Sequence, residues 1–188
     1  GPPRGPDEAD DQLDDADWTS PEPGGELSFQ DETWPPEPPE VYVGSWEEKG
    51  PKPDDLASAD EHFEKKNYKH ALKAYDEFIK ASPKSYWVPY ATFQKTRCHY
   101  QLSEYDQALD VYDAFLEGKP GLLWEARAKV KLSSLYHTLP TSGFRRDDRI
   151  YYNYEHNEGE YVYLYQENRE KAVSMLEDAR LAYLSLLD

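Results

Sequence analysis

From residue 54 onward, apolar side chains recur every three or four positions, and chain breakers interrupt them on a regular schedule. That spacing predicts amphipathic helices. The first covers about 54–66 and the second about 68–81, with Asn67 between them and Ser82-Pro83 as the stop. A third begins at 86 or 89 and runs to about 102. Ser103 followed by Asp106 reads as a capping box with its acid shortened by one carbon, opening a fourth helix over about 104–117 that Gly118-Lys119-Pro120 ends. A fifth covers about 122–138 and halts before Pro140, and a sixth covers about 164–187. Over about 139–163 the helical period is lost. Ile150, Tyr152 and Tyr154 alternate with Tyr151 and Asn153, and after Gly159 comes the aromatic run Tyr161-Val162-Tyr163-Leu164-Tyr165. Two such runs flanking a Gly-containing turn fit a β-hairpin, or else an irregular loop that packs its tyrosines on the helices.

The helix pairs repeat. Tyr68, Ala71, Leu72, Tyr75, Asp76 and Phe78 match Tyr105, Ala108, Leu109, Tyr112, Asp113 and Phe115 at an offset of 37, and Pro83 matches Pro120 at the same step. Ala59, His62 and Phe63 fall against Thr96, His99 and Tyr100, and a third step reaches Ser133, Tyr136 and His137. A small residue on the first helix of a pair (Ala59, Thr96, Ser133) and one on the second (Ala71, Ala108, Ala172) let the paired helices approach closely. This pattern resembles the tetratricopeptide-repeat (TPR) family. The resemblance covers residues 54–138 and the last helix loosely, and implies an all-α helical hairpin array of about three repeats, 54–188, with the tyrosine-rich insertion at about 139–163. Such arrays bind many partners, so the fold alone does not name one.

The family period is about 34 residues, and the extra residues here lie near 84–89. The phrase Phe78-Ile79-Lys80-Ala81-Ser82-Pro83-Lys84-Ser85, with Cys98-His99-Tyr100-Gln101-Leu102 after it, resembles bacterial envelope TPR proteins of the outer-membrane assembly lipoprotein and Tol-Pal coordinator type. That likeness implies an envelope or periplasmic address, with the cytoplasm as the alternative. Gly143-Phe144, then Gly159, Tyr161, Val162, Tyr165, Glu167, Arg169 and Ala172, is similar to an element in the N-terminal TPR region of bacterial alpha-2-macroglobulin-like proteins. This implies a regulatory module of a larger protease-trapping protein. That family's Cys-x-Glu-Gln thioester motif is absent, because His99-Tyr100-Gln101 follows Cys98.

Composition divides the chain at about residue 53. Eleven of its 15 prolines lie in 1–53, and residues 1–58 carry -14 of the formal charge of -17. Such a segment lacks the apolar surface to offset its ordering entropy, so the expectation is an extended or disordered acidic arm. Its Trp18, Phe29, Trp34, Tyr42 and Trp46 are either incidental aromatics in a solvated linker or anchors for a partner's pockets. The acidity argues against nucleic acid and anionic membrane surfaces as partners, and no stretch approaches the ~20 apolar residues of a membrane span. The chain opens at Gly1 rather than methionine, which reads as a trimmed product.

No phosphate loop, His-Glu-x-x-His or paired cysteines occur. Cys98 and His99 are adjacent, which on a helix points them about 100° apart and suits no nucleophile–base pair. No cofactor or metal is expected, and the chain reads as a non-catalytic scaffold that binds another protein or peptide, as a subunit of a larger assembly. The TPR resemblance implies a groove lined by the first helix of each pair. Its wall would carry Leu56, Asp60, Phe63 and Glu64, then Tyr90, Phe93, Arg97, Tyr100 and Gln101, then Arg127, Val130, Ser134 and Thr138. This wall reads as aromatic with mixed polarity and without a Lys/Arg cluster, which argues against the two-carboxylate clamp of chaperone-binding TPRs. The insertion adds Tyr151, Tyr152, Tyr154, Tyr161 and Tyr163 as a further candidate surface.

Overall fold

The computed structural model describes residues 46–47 and 49–187. Each stretch of helical spacing becomes a helix: α1 (Asp54–Glu64), α2 (Tyr68–Ala81), α3 (Val88–Gln101), α4 (Tyr105–Glu117), α5 (Leu122–Thr138) and α6 (Tyr165–Leu184). Successive helices pack as pairs: α1 on α2, α3 on α4, and α5 most extensively on α6, with α2 also against α3. The first helices of the pairs lie side by side. Arg97 of α3 covers the Phe63 ring of α1, and Phe93 of α3 meets Trp124 of α5.

The small residues sit where the helices come closest. Ala59, Thr96 and Ser133 are buried, as are Ala71, Ala108 and Ala172. At the third pair the approach is close enough for Ser133 Oγ to donate to the Ala172 carbonyl oxygen at 2.7 Å. Tyr75 and Tyr112 occupy one repeat position and are both fully buried, filling the space that the small residues leave. The turns repeat as well. Lys66 and Ser103 both adopt the left-handed conformation, with φ of 60° and 59°. The same bonds follow each: Lys66 N–H to Phe63 O and Asn67 N–H to His62 O, then Ser103 N–H to Tyr100 O and Glu104 N–H to His99 O. These bonds satisfy the last carbonyls of α1 and α3.

The insertion forms a three-stranded antiparallel sheet, β1 (Ser142–Arg146), β2 (Arg149–Tyr151) and β3 (Glu160–Tyr163), in the order β2-β1-β3. The alternating tyrosine runs therefore do not pair with each other. The missed strand is the central one, Ser-Gly-Phe-Arg-Arg, which has no apolar alternation to betray it. Asp147 and Asp148, both at positive φ, make the two-residue turn between β1 and β2. Two glycines are required here. A Cβ on Gly143 would stand 2.5 Å from the Tyr151 carbonyl oxygen, and one on Gly159 (φ +117°) 2.4 Å from that of Arg145.

Asp106 has a different role from the capping box. Its buried carboxylate accepts the backbone N–H of Tyr152 at 2.8 Å and of Asn153 at 3.2 Å. Asn153 returns the contact: its Oδ1 accepts the Asp106 N–H at 3.0 Å and its Nδ2 donates to Ser103 O. Asn153, 47 residues further along the chain, thus satisfies a free N–H of the α4 N-terminus. On the other side Tyr152 donates to Asn168 Oδ1 at 2.5 Å, and Leu164 N–H binds Thr141 O. The sheet is fastened between α4 and α6.

Two outcomes follow. Asp106→Ala leaves two buried amides without acceptors and lowers stability by about 2–4 kcal/mol. It also removes hydrogen-exchange protection at the Tyr152 and Asn153 amides first. Lys66→Gly raises the urea midpoint by an amount equivalent to about 1 kcal/mol, because a Cβ in the left-handed region costs about 1–2 kcal/mol and glycine's extra chain entropy returns part of that.

Candidate functional site

The face shared by α1, α3 and α5 starts from one carboxylate. Asp60 accepts hydrogen bonds from Tyr75 OH at 2.5 Å, Tyr90 OH at 2.9 Å and Lys52 Nζ at 2.8 Å. Lys52 also donates to Tyr90 OH at 3.2 Å and stands 4.5 Å from the centre of its ring. Burial, then the Asp60 charge, pushes the Tyr90 hydroxyl up to about 12. Burial opposes the Lys52 charge, but its bonds to Asp60 and Tyr90 outweigh that and raise its pKa. Asp60 and Tyr90, two of the expected groove contacts, are thus engaged by the chain itself.

Lys52 belongs to a stretch that lies across the start of α3. The Trp46 indole N–H donates to Pro120 O at 3.3 Å and its ring stacks on Phe115. Glu47 N–H binds Lys84 O at 2.8 Å, and the Trp87 indole N–H binds Gly50 O at 3.1 Å. Lys49 and Lys52 each lie 5.9 Å from a ring centre, Tyr86 and Trp87 respectively. Trp46 is therefore bound to its own helices, and ordered packing begins before residue 54. Trp18, Phe29, Trp34 and Tyr42 lie outside the described residues.

The repeat step sorts the remaining groove residues. Leu56, Phe93 and Val130 share one repeat position, with exposures of 0%, 7% and 7%. They are corrected from groove lining to interior, because that column faces the second helices and the neighbouring pair. Phe93, for example, packs on Tyr112, Phe115 and Trp124. Phe63 is half-buried beneath Arg97, Tyr100 packs on Tyr105, and Glu64 and Gln101 are exposed at the helix ends. Ser134 is exposed and Thr138 half-buried on α5.

A second correction concerns charge. Arg97 stands 4.4 Å from the centre of the Phe63 ring, Arg127 4.7 Å from Trp124, and Lys131 5.4 Å from Phe93. The rings link them, since Phe93 and Trp124 lie 6.4 Å apart. Burial, then the Arg97 and Arg127 charges, lowers the Lys131 pKa. A Lys/Arg cluster is therefore present. Reading along the sequence missed Lys131, although it stands one repeat step after Gln94, which donates to Tyr90 and accepts from Arg97 at 2.6 Å. The signal was the repeat register itself.

The insertion tyrosines divide. Tyr152 is buried and holds Asn168, and Tyr151 is covered by Arg146 and Arg149. Tyr154, Tyr161 and Tyr163 are exposed at 64%, 48% and 85%, so these three form the accessible part of that surface. Phe144 links Tyr154 to Tyr161, and Tyr161 meets Tyr163.

Among the described residues, no group of three His, Cys, Asp or Glu is placed to hold a metal, and no helix is long and apolar enough to cross a membrane. No protein-family model matches the chain, and no curated protein or solved structure matches it significantly. The single thiol, Cys98, is fully buried in α3, and burial pushes its pKa up to about 12. A disulfide reagent at pH 8 should therefore leave native Cys98 unmodified for hours and label it within minutes in denaturant, as read by absorbance of the released thiolate.

Proposed function

We propose that this chain is a non-catalytic protein-interaction module, a TPR-like array that holds a segment of a partner protein along the shared face of α1, α3 and α5. The observation that carries this reading is the state of that face. It is built from regular helix pairs, keeps Phe63, Tyr90 and Tyr100 half-buried, and holds three cations without carboxylate partners among the described residues. Repeat arrays use such extended faces for binding. Lys52 occupies the Asp60–Tyr90 end of the face, while Gln101 and Ser134 further along it are exposed. The envelope location, and membership of a larger assembly, rest on the sequence resemblances alone.

A second reading has its own support. The outer faces of terminal repeats are ordinarily polar, but α6 leaves Val173, Leu176, Leu181 and Leu184 exposed at 44–57%. This favours a module packed against a further helical element, as in the alpha-2-macroglobulin-like alternative.

Photo-crosslinking separates the two. A benzophenone amino acid at Ser134 or Gln101 should trap a specific protein in an extract of the source cells, while one at Lys73, exposed on the far side of α2, should not. Trapping only from Val173 would favour the second reading and remove the shared face from the account.

A further inference from the structure

The phase of the β1–β3 ladder decides which backbone groups of β3 are used within the sheet. Leu164 N–H donates to Thr141 O at 2.8 Å, one step beyond the pair of Ser142 with Tyr163. Antiparallel pairs alternate between bonded and non-bonded. Gly143–Val162 and Arg145–Glu160 therefore exchange bonds, while Ser142–Tyr163 and Phe144–Tyr161 do not. The two-residue turn at Asp147-Asp148 agrees, because it closes on the pair Arg146–Arg149 and so turns Phe144 and Arg146 towards β2. The N–H and C=O groups of Tyr161 and Tyr163 point away from β1, and no other described segment bonds them.

The two edges of the sheet differ. Beyond β2, the Tyr152 and Asn153 amides are taken by Asp106, and Arg149 pairs with Asp110. The β3 edge has no such cover among the described residues: Glu160 is exposed, and so are Tyr161 and Tyr163. Exposed edges are ordinarily blunted by Lys, Pro or a bulge. Glu160-Tyr161-Val162-Tyr163 has neither Lys nor Pro, and its register with β1 runs unbroken. The side chains of Tyr161 and Tyr163 share a face with Phe144, whose ring lies 5.6 Å from Tyr161 and 5.8 Å from Tyr154. Unpaired backbone groups thus stand beside a strip of aromatic rings.

We propose that β3 takes a short basic segment of a partner protein as a fourth, antiparallel strand. Backbone bonds to Tyr161 and Tyr163 hold the segment, and side chains at alternate positions select it. Charge decides which side chains fit. Between Tyr154 and Tyr163 stand Glu155, Glu158 and Glu160, with no Lys or Arg. Glu158 pairs with Arg146, whereas Glu155 and Glu160 are exposed and without an ion pair among the described residues. Lys or Arg at alternate positions of the segment lies over the Tyr161 and Tyr163 rings, and an aliphatic residue between them lies beside Val162. The net charge of -17 draws such a segment in. A second copy of this chain would instead bring the three glutamates towards their own copies. This edge is separate from the face shared by α1, α3 and α5, so neither reading depends on the other.

The test follows the anisotropy of a short fluorescein-labelled peptide of alternating Arg and Val as the full chain is titrated in, with a peptide of alternating Glu and Val as comparison. The basic peptide should bind saturably and more weakly as salt rises, and the acidic one should not bind. Tyr163→Ala should weaken binding about threefold, the scale of one exposed cation–π contact. Tyr163→Pro removes an N–H that the ladder does not use, so the melting temperature should hold while binding falls by at least about tenfold. Methylating the peptide's Arg amides should abolish binding and methylating its Val amides should not, because only alternate N–H groups of an added strand face β3. These peptides leave the protein unaltered, so they decide the matter if Tyr163→Pro lowers stability. Equal sensitivity to methylation at Arg and Val, or unchanged binding by a stable Tyr163→Pro, would overturn strand addition. Binding of the acidic peptide as tight as that of the basic one would overturn the choice of a basic segment. A dimer of the full chain in sedimentation that Tyr163→Pro abolishes would do the same, in favour of a second copy.

Discussion

Close approach of paired helices is the constraint on which the rest of this structure depends. Ala59, Thr96 and Ser133 on one side, and Ala71, Ala108 and Ala172 on the other, are small residues buried between the paired helices. Helices packed this closely leave a defined gap beside each small residue, and Tyr75 and Tyr112 fill it. The tyrosine hydroxyls then need partners. Tyr75 meets this by donating to Asp60, and Asp60 in turn binds Tyr90 and Lys52. A packing requirement inside the first pair thereby reaches the shared face and holds Lys52 against it.

The insertion is held by the same kind of reciprocity. A sheet of three short strands with exposed tyrosines would be marginal alone. Asp106 and Asn153 make it part of the array, each satisfying backbone groups of the other's segment. Burial of the Asp106 carboxylate is tolerable because two N–H donors face it. Tyr152, which looks like one of five equivalent surface tyrosines in the sequence, is the anchor and points inward to Asn168. The accessible aromatic surface is what remains: Tyr154, Tyr161 and Tyr163.

Charge is distributed against the composition. Acidic residues dominate the chain, yet the shared face carries Asp60 already paired with Lys52, then three cations without carboxylates among the described residues. One repeat position carries Asp60, Arg97 and Ser134 in turn, so successive pairs present acid, base and hydroxyl from the same scaffold. Buried columns hold their chemistry from pair to pair, as Leu56, Phe93 and Val130 do, whereas the outward column changes. Packing constrains the first kind of position and leaves the second free to vary.

The helices, their limits, the repeat step and its small-residue positions were legible in the chain, because helical periodicity and breakers are local signals that packing only reinforces. Tertiary structure alone decided three things. The strand order was hidden because Ser142–Arg146 has no alternation and pairs with segments on both sides. The fate of Asp106 was hidden because its partners lie 46 and 47 residues away. The cation cluster was hidden because Arg97 and Lys131 sit on different helices and meet only when α3 and α5 lie side by side. Each depends on contacts distant in sequence, which no local pattern records.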